Sequence, residues 1–225
     1  MDARITFLQH SPSDVPGLLG VLAGESGLDV TVRRTDVEGG LPAPDSFDLL
    51  VVMGSIESVY DPSVTWIAPE RALVAHSVER GVPVLGICFG GQLLADVLGG
   101  TVSRAPRTEI GWGCIDTVDA ERIGPGPWLN WHDDAFTCPP GAEALATSEV
   151  SLQAFVDGPL TGVQFHPEAT RAVVHGWIDD ARDRDGVADE DVARLLAGFD
   201  DDGLGPVNQT RALLDGFLTR ANVRE

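Results

Sequence analysis

Cysteine is scarce in this chain, and one of its three copies, Cys88, stands within Gly86-Ile87-Cys88-Phe89-Gly90-Gly91-Gln92. Glycines two residues to either side give the spacing of a nucleophile elbow, a sharp strand-to-helix turn that needs small neighbours so that strand and helix can approach. Such a turn pushes the thiol out at the end of the strand. The unpaired N–H groups and the dipole of the helix N-terminus favour a thiolate, the attacking form of cysteine. The N–H of Phe89 would then face an oxyanion. Read alone, Cys88 equally suits a small buried hydrophobe, and glycine-rich strand-to-helix turns also serve phosphate binding. The chemistry needs a base and an orienting group, and Phe165-His166-Pro167-Glu168 offers both. His166 is a base for the thiol, and Glu168, two residues on, accepts the other ring N–H and holds the imidazole. The three residues make a Cys-His-Glu triad suited to attack on a carbonyl.

Both stretches require strands that end side by side. Val82 to Ile87 is a short uncharged apolar run, suited to a strand buried on both faces, and Gln92 to Leu98 places Leu93, Leu94, Val97 and Leu98 at helical spacing. Leu152 to Val156 and Leu160 to Gln164 read as a hairpin turning at Asp157-Gly158, which delivers His166. Upstream, strands are expected at Arg4 to Gln9, Leu28 to Arg34 and Asp48 to Met53, alternating with helices from Val15 to Ala23 and Trp66 to Arg80. Gly99-Gly100 caps the elbow helix. Thr101 to Arg104 and Cys114 to Val118 then read as an antiparallel extension of the parallel sheet. Later helices are expected from Thr170 to Asp180, Asp189 to Phe199 and Val207 to Leu218, with a break from Asp183 to Gly186. The class is α/β: an open, mostly parallel sheet flanked by helices, with an antiparallel extension.

The elbow motif paired at long range with Phe165-His166-Pro167-Glu168 strongly resembles the class I (triad) glutamine amidotransferase domain, over roughly residues 3 to 180. That resemblance implies a flavodoxin-like fold and hydrolysis of the glutamine side-chain amide, with Cys88 as nucleophile, His166 as base and Glu168 as its orienter. It places Gly54, in Gly54-Ser55-Ile56-Glu57, as donor of the second oxyanion N–H, and Ser55 in the loop that contacts glutamine; Met53 and Ile56 depart from the family's paired glycines or proline. It gives Gln92 a part in binding substrate, beside the alternative duty of capping the elbow helix. Trp131 and His132 are similar to the start of the family's Trp-His-Gly-Asp segment, whose backbone binds the amino acid part of glutamine, and Asp133 stands where glycine is usual. Glu109-Ile110-Gly111-Trp112 resembles a segment of stand-alone members. A metal held by His132, Asp133 and Asp134 is not expected, because adjacent residues rarely face one ion. No cofactor is called for.

Composition bounds the rest. Residues 1–182 are read as the amidotransferase-like domain and 183–225 as a C-terminal helical extension packed on it. Hydrophobic content of 43% is ordinary, and no apolar run approaches the ~20 residues of a membrane span. Met1-Asp2-Ala3-Arg4 enters a strand with no leader, and Cys88, Cys114 and Cys138 lack metal-like spacing, so a cytoplasmic location is expected. Net charge is −20, from 35 acidic side chains against 15 basic ones that are all arginine, which argues against nucleic acid and anionic membranes as partners. Without lysine there is neither Schiff-base chemistry nor a P-loop. In 225 residues no synthetase domain is expected, so the ammonia would pass to a separate synthetase subunit or acceptor. Two other functions fit the same residues. One is a free-standing hydrolase of γ-glutamyl amides or peptides, and the other a non-catalytic regulatory module on the same fold.

Overall fold

The apolar runs of the first half form buried parallel strands, and the chain between them returns as helices because parallel neighbours need a crossover. In the computed structural model, which describes residues 3–184 and 186–223, these elements are β1 (Arg4–Gln9), α1 (Gly17–Glu25), β2 (Asp29–Arg34), β3 (Leu49–Val52), α2 (Ile67–Glu79), β4 (Val84–Ile87) and α3 (Phe89–Val97). β3 and β4, Leu-Leu-Val-Val and Val-Leu-Gly-Ile, are buried at every residue, as their lack of polar alternation requires.

The second half supplies β5 (Val102–Gly113), β6 (Asp116–Thr117), β7 (Trp128–Phe136), β8 (Glu143–Thr147), β9 (Leu152–Asp157) and β10 (Leu160–Val163). One eight-stranded sheet has the order β2-β1-β3-β4-β10-β9-β8-β6. It is parallel from β2 through β10 and antiparallel from β9 outward. β9 and β10 are the expected hairpin, with Leu160 opposite Asp157 and Gly158 at a φ of 55° in the turn.

One expectation is corrected. Thr101 to Arg104 does not extend this sheet: it begins the long strand β5, which pairs antiparallel with β7 as a separate two-stranded ribbon. Of the segment from Cys114 to Val118, only Asp116–Thr117 joins the main sheet. The register of the ribbon shifts between Arg104 and Glu109, around Pro106, which has no N–H to give to a ladder. The kinked ribbon lays Trp131 against the elbow rather than continuing the sheet outward.

Helices α4 (Arg171–Arg184), α5 (Asp189–Leu196) and α6 (Val207–Arg220) complete the chain. α4 runs four residues beyond Asp180, across position 182. The expected break includes Asp185, which lies outside the described residues, as do Met1, Asp2, Arg224 and Glu225. One face of the sheet is covered by α1 and α6, with Leu18, Leu22, Leu214 and Phe217 in one apolar cluster. The other is covered by α2 and α3, through Leu73, Val74, Leu93 and Leu94. α5 rests on β5, where the Trp112 indole N–H donates to the Leu195 carbonyl at 2.8 Å. Among the described residues no helix is long and apolar enough to cross a membrane.

The two glycines that flank the turn between β4 and α3 leave no room for a side chain. A Cβ on Gly86 would overlap the Gly90 carbonyl, and one on Gly90 would overlap the Val52 carbonyl, both of them backbone that cannot yield. Gly90→Ala is therefore expected to cost more than about 3 kcal/mol, read from the urea midpoint or as loss of soluble protein. A cost under about 1 kcal/mol would contradict this packing.

Candidate active site

Four neighbouring parallel strands, β1, β3, β4 and β10, send their C-terminal ends to one edge of the sheet, where open α/β sheets carry their ligand sites. The first residues beyond those ends include His10, Gly54, Cys88 and His166. Cys88 is the hinge of the elbow, with φ 49° and ψ −108°, a conformation that residues with a side chain seldom adopt. Its N–H donates to the Val163 carbonyl at 2.8 Å and the Gly90 N–H to the Met53 carbonyl at 3.1 Å, so β10 and β3 both grip the turn. The sulfur accepts from the Gln164 side-chain amide at 3.6 Å and lies 4.0 Å from the Trp131 carbonyl oxygen.

His166 is fixed by its backbone, whose N–H donates to the Leu129 carbonyl at 2.8 Å. Its Nδ1 lies 2.8 Å from Glu168 Oε1. The carboxylate is fully buried, and its turn is held from two sides: the Leu18 N–H donates to the Glu168 carbonyl at 2.9 Å and the Thr210 hydroxyl to the Pro167 carbonyl at 3.0 Å. The other ring nitrogen, Nε2, is buried and makes no hydrogen bond among the described residues. Burial disfavours the imidazolium, but the negative charge of Glu168 and the nearby Cys88 sulfur outweigh it and hold the imidazole well above its ordinary value. Trp177 packs on the ring with centroids 4.7 Å apart.

Gly54 closes the group. A Cβ there would come within 3.1 Å of His166 Cε1 and 3.7 Å of the Cys88 Cβ, so the loop after β3 passes directly over the pair. The N–H groups of Gly54 and Phe89 make no hydrogen bond among the described residues, which leaves two donors free beside Cys88. Ser55 lines the same cleft, its hydroxyl accepting the Glu57 N–H at 3.2 Å.

The remaining expected residues are placed differently from one another. Trp131 brings its carbonyl to the thiol. His132 is buried, with Nδ1 3.0 Å from the Asp134 carbonyl and Nε2 3.1 Å from Glu109, so its ring braces the β5-β7 ribbon. Asp133, which departs from the glycine of the resembling segment, alternates outward on β7 towards Thr108 and Arg104. Asp134 turns inward to the hydroxyls of Ser58 and Tyr60 at 2.6 and 2.8 Å. Gln92 does not cap α3; its amide nitrogen donates to the Asp134 carbonyl at 3.2 Å. No group of three or more metal-ligating side chains is found among the described residues.

Two contributors escaped the motif reading. Gln164 lies one residue beyond β10 and two before His166, fully buried, and its polarity inside an apolar strand end was the available signal. His10 and Glu70 form a second buried histidine–carboxylate pair, Nε2 to Oε1 2.8 Å, beside Gly54. They lie 60 residues apart in sequence, and no local pattern joins them.

The chain and its fold match known proteins. The family described as Glutamine amidotransferase class-I covers residues 22–175. The chain is 39% identical over 126 residues to a GMP synthase [glutamine-hydrolyzing] of Thermomicrobium roseum, a match spanning 53% of this chain and 23% of that one. It is 40% identical over 127 residues to the corresponding protein of Thermus thermophilus, spanning 53% and 24%. The chain thus spans about a quarter of the length of these relatives. The crystal structure of a glutamine amido transferase from Methylobacillus flagellatus superposes with a TM-score of 0.85 at 28% identity, covering 98% of this chain and 96% of that one. A glutamine amidotransferase structure from Thermotoga maritima shares the fold at a TM-score of 0.82 and 24% identity, with 98% of each chain covered. This chain belongs to the class I glutamine amidotransferase family.

The raised proton affinity of His166 makes a pH prediction. A histidine that binds its proton more tightly folded than unfolded contributes stability that is fully present below its unfolded value, near 6.5, and lost as pH rises through the folded one. The melting temperature is expected to fall as pH is raised from about 6 to about 9, and to fall less in Glu168→Gln, which removes the neighbouring charge. Equal slopes in the two proteins would contradict the assignment.

Proposed function

We propose that the chain hydrolyses the side-chain amide of glutamine through Cys88, His166 and Glu168 and releases ammonia to a separate synthetase or acceptor. The observation that supports this most is the meeting of Cys88, the His166–Glu168 pair and Gly54 at the ends of adjacent strands. In this reading Cys88 sulfur attacks the γ-carbonyl, and the N–H groups of Phe89 and Gly54 receive the oxyanion. As the C–N bond breaks, His166 gives its proton to the departing nitrogen and ammonia leaves behind a γ-glutamyl thioester. His166 then takes a proton from water, hydroxide attacks the thioester, and the C–S bond breaks to release glutamate. Glu168 keeps the imidazole in one tautomer and orientation throughout. Gln164 offers an N–H to the sulfur in the resting site. Ser55, Gln92, Trp131 and His132 shape the pocket, the last two through the ribbon strand whose carbonyl faces the thiol. A separate synthetase partner is supported by the glutamine-hydrolysing GMP synthases, of which this chain matches one part.

A second reading, hydrolysis of larger γ-glutamyl amides, is favoured by the cleft. Its volume of about 990 Å³ is at the upper end of small-molecule sites and exceeds what a single glutamine fills. Its walls include Asp14, Asp36, Asp180 and Asp183 against Arg104. Such a wall suits a leaving amine that carries positive charge.

Glutamate release from glutamine, γ-glutamyl amines and γ-glutamyl peptides separates the two readings. Wild type is expected to turn over at least one of them, with kcat lowered by about 10³-fold or more in Cys88→Ala and about 10²-fold or more in Glu168→Gln. Preference for a cationic γ-glutamyl amine over glutamine selects the second reading. Turnover that survives Cys88→Ala would overturn both.

A further inference from the structure

The loop carrying Gly54 is held at both of its peptide planes. On the entering side, the Met53 carbonyl accepts the Gly90 N–H at 3.1 Å, and because a trans peptide sets its C=O and N–H in opposite directions, this orients the Gly54 N–H away from Gly90. On the leaving side, the Gly54 carbonyl faces His10 Nδ1 at 2.8 Å, which turns the Ser55 N–H away from His10. Glycine has no side chain to hinder rotation about its own bonds. Without the His10 contact, the Gly54–Ser55 peptide would be free to flip and present a carbonyl oxygen where donors are needed.

His10 is built for that contact. A carbonyl oxygen only accepts, so Nδ1 must carry a proton. On the far side of the ring, Nε2 lies 2.8 Å from Glu70 Oε1 in the first turn of α2, and both side chains are wholly inaccessible. Whichever of Nε2 and Glu70 keeps the proton between them, that hydrogen bond leaves Nδ1 protonated and aimed at Gly54. The ring is clamped by stacking on Trp66, with centroids 4.7 Å apart, and by the edge contact of Phe89 at 5.0 Å. Phe89 is itself the residue after the nucleophile, so one imidazole touches both segments that bear the free N–H groups. A buried ionisable pair is costly to keep, and no core-packing role demands polarity there.

We propose that His10 and Glu70 are positioning residues that hold the Gly54 carbonyl turned away from the oxyanion, so that beside Cys88 the loop presents only its N–H. This rests on the hydrolytic reading of Cys88. Three variants test it with the substrate that wild type turns over best. His10→Gln keeps a partner for Glu70 but withdraws the donor from Gly54. His10→Phe with Glu70→Met keeps the stacked ring and buries no unpaired charge. Glu70→Gln has an amide N–H that donates to Nε2 and so preserves the Nδ1–H.

For the first two, kcat is expected to fall by about 10²-fold, because a Gly54 carbonyl turned toward the oxyanion offsets about as much as one donor supplies, with KM little changed. Their rate of Cys88 alkylation by iodoacetamide should match wild type, because Cys88, His166 and Glu168 are untouched. Glu70→Gln should stay within about fivefold of wild type. Wild-type kcat in a folded His10→Gln overturns the proposal. So does a loss of kcat matched by an equal loss of Cys88 alkylation, which would mean general disruption of the site. If wild type itself shows no Cys88-dependent turnover, the hydrolytic reading falls and this proposal with it; normal wild-type turnover with unaffected variants removes the proposal alone.

Discussion

The site depends on the contact of bare backbone with bare backbone beneath Cys88. Gly86 lies against the Gly90 carbonyl and Gly90 against the Val52 carbonyl, and a Cβ on Gly91 would lie 2.5 Å from the Val163 carbonyl oxygen. Only glycine permits three segments to converge so closely, and their convergence forces Cys88 to φ 49°. A strained residue of this kind costs about 1–3 kcal/mol. The fully buried Leu93 and Leu94 that follow on α3 each contribute about 1.5–3 kcal/mol, so packing of the elbow helix holds the turn with margin to spare. The thiol is therefore presented by the core and not by a mobile loop.

From that turn the remaining geometry follows through sheet topology. β4 lies between β3 and β10, so the residues just past those two strands, Gly54 and His166, fall on either side of Cys88. β1 lies next to β3 and brings His10 behind Gly54. The ribbon of β5 and β7 closes the site from above, tied to the Gly54 loop through Ser58, Tyr60 and Asp134. The C-terminal helix α6 reaches the same machinery, since Thr210 holds the Pro167 carbonyl beside Glu168. The side chains of the proposed site come from strand ends, and long-range hydrogen bonds from several layers fix their angles.

What could be read from the chain beforehand was what lies in short, self-contained patterns. The glycine spacing around Cys88, the His-Pro-Glu ending and the apolar runs are local signals; the strands expected at Asp48 to Met53 and Val82 to Ile87 form as Leu49–Val52 and Val84–Ile87. The ribbon was misread because Val102 to Gly113 contains Pro106 and several charged residues, which break alternation; only pairing with β7 makes it one strand. Gln92 stands near the N-terminus of α3, where a polar side chain suggests a cap, yet its amide is taken by the Asp134 carbonyl across the site. His10 and Glu70 carry no pattern at all. Their meaning arises when β1 and α2 are folded against the same loop, and a sequence contains that contact only through the whole topology.

The most direct measurement is acid quench of the protein during incubation with a γ-glutamyl compound, followed by mass spectrometry of its cysteine peptides. The expected result is a γ-glutamyl group on the peptide containing Cys88 and none on those with the exposed Cys114 or the half-buried Cys138. The adduct should accumulate further in His166→Ala treated with an activated ester, because thioester hydrolysis needs the base. Turnover with no adduct on Cys88, or an adduct spread equally over the three cysteines, would contradict a nucleophile elbow at the centre of this fold.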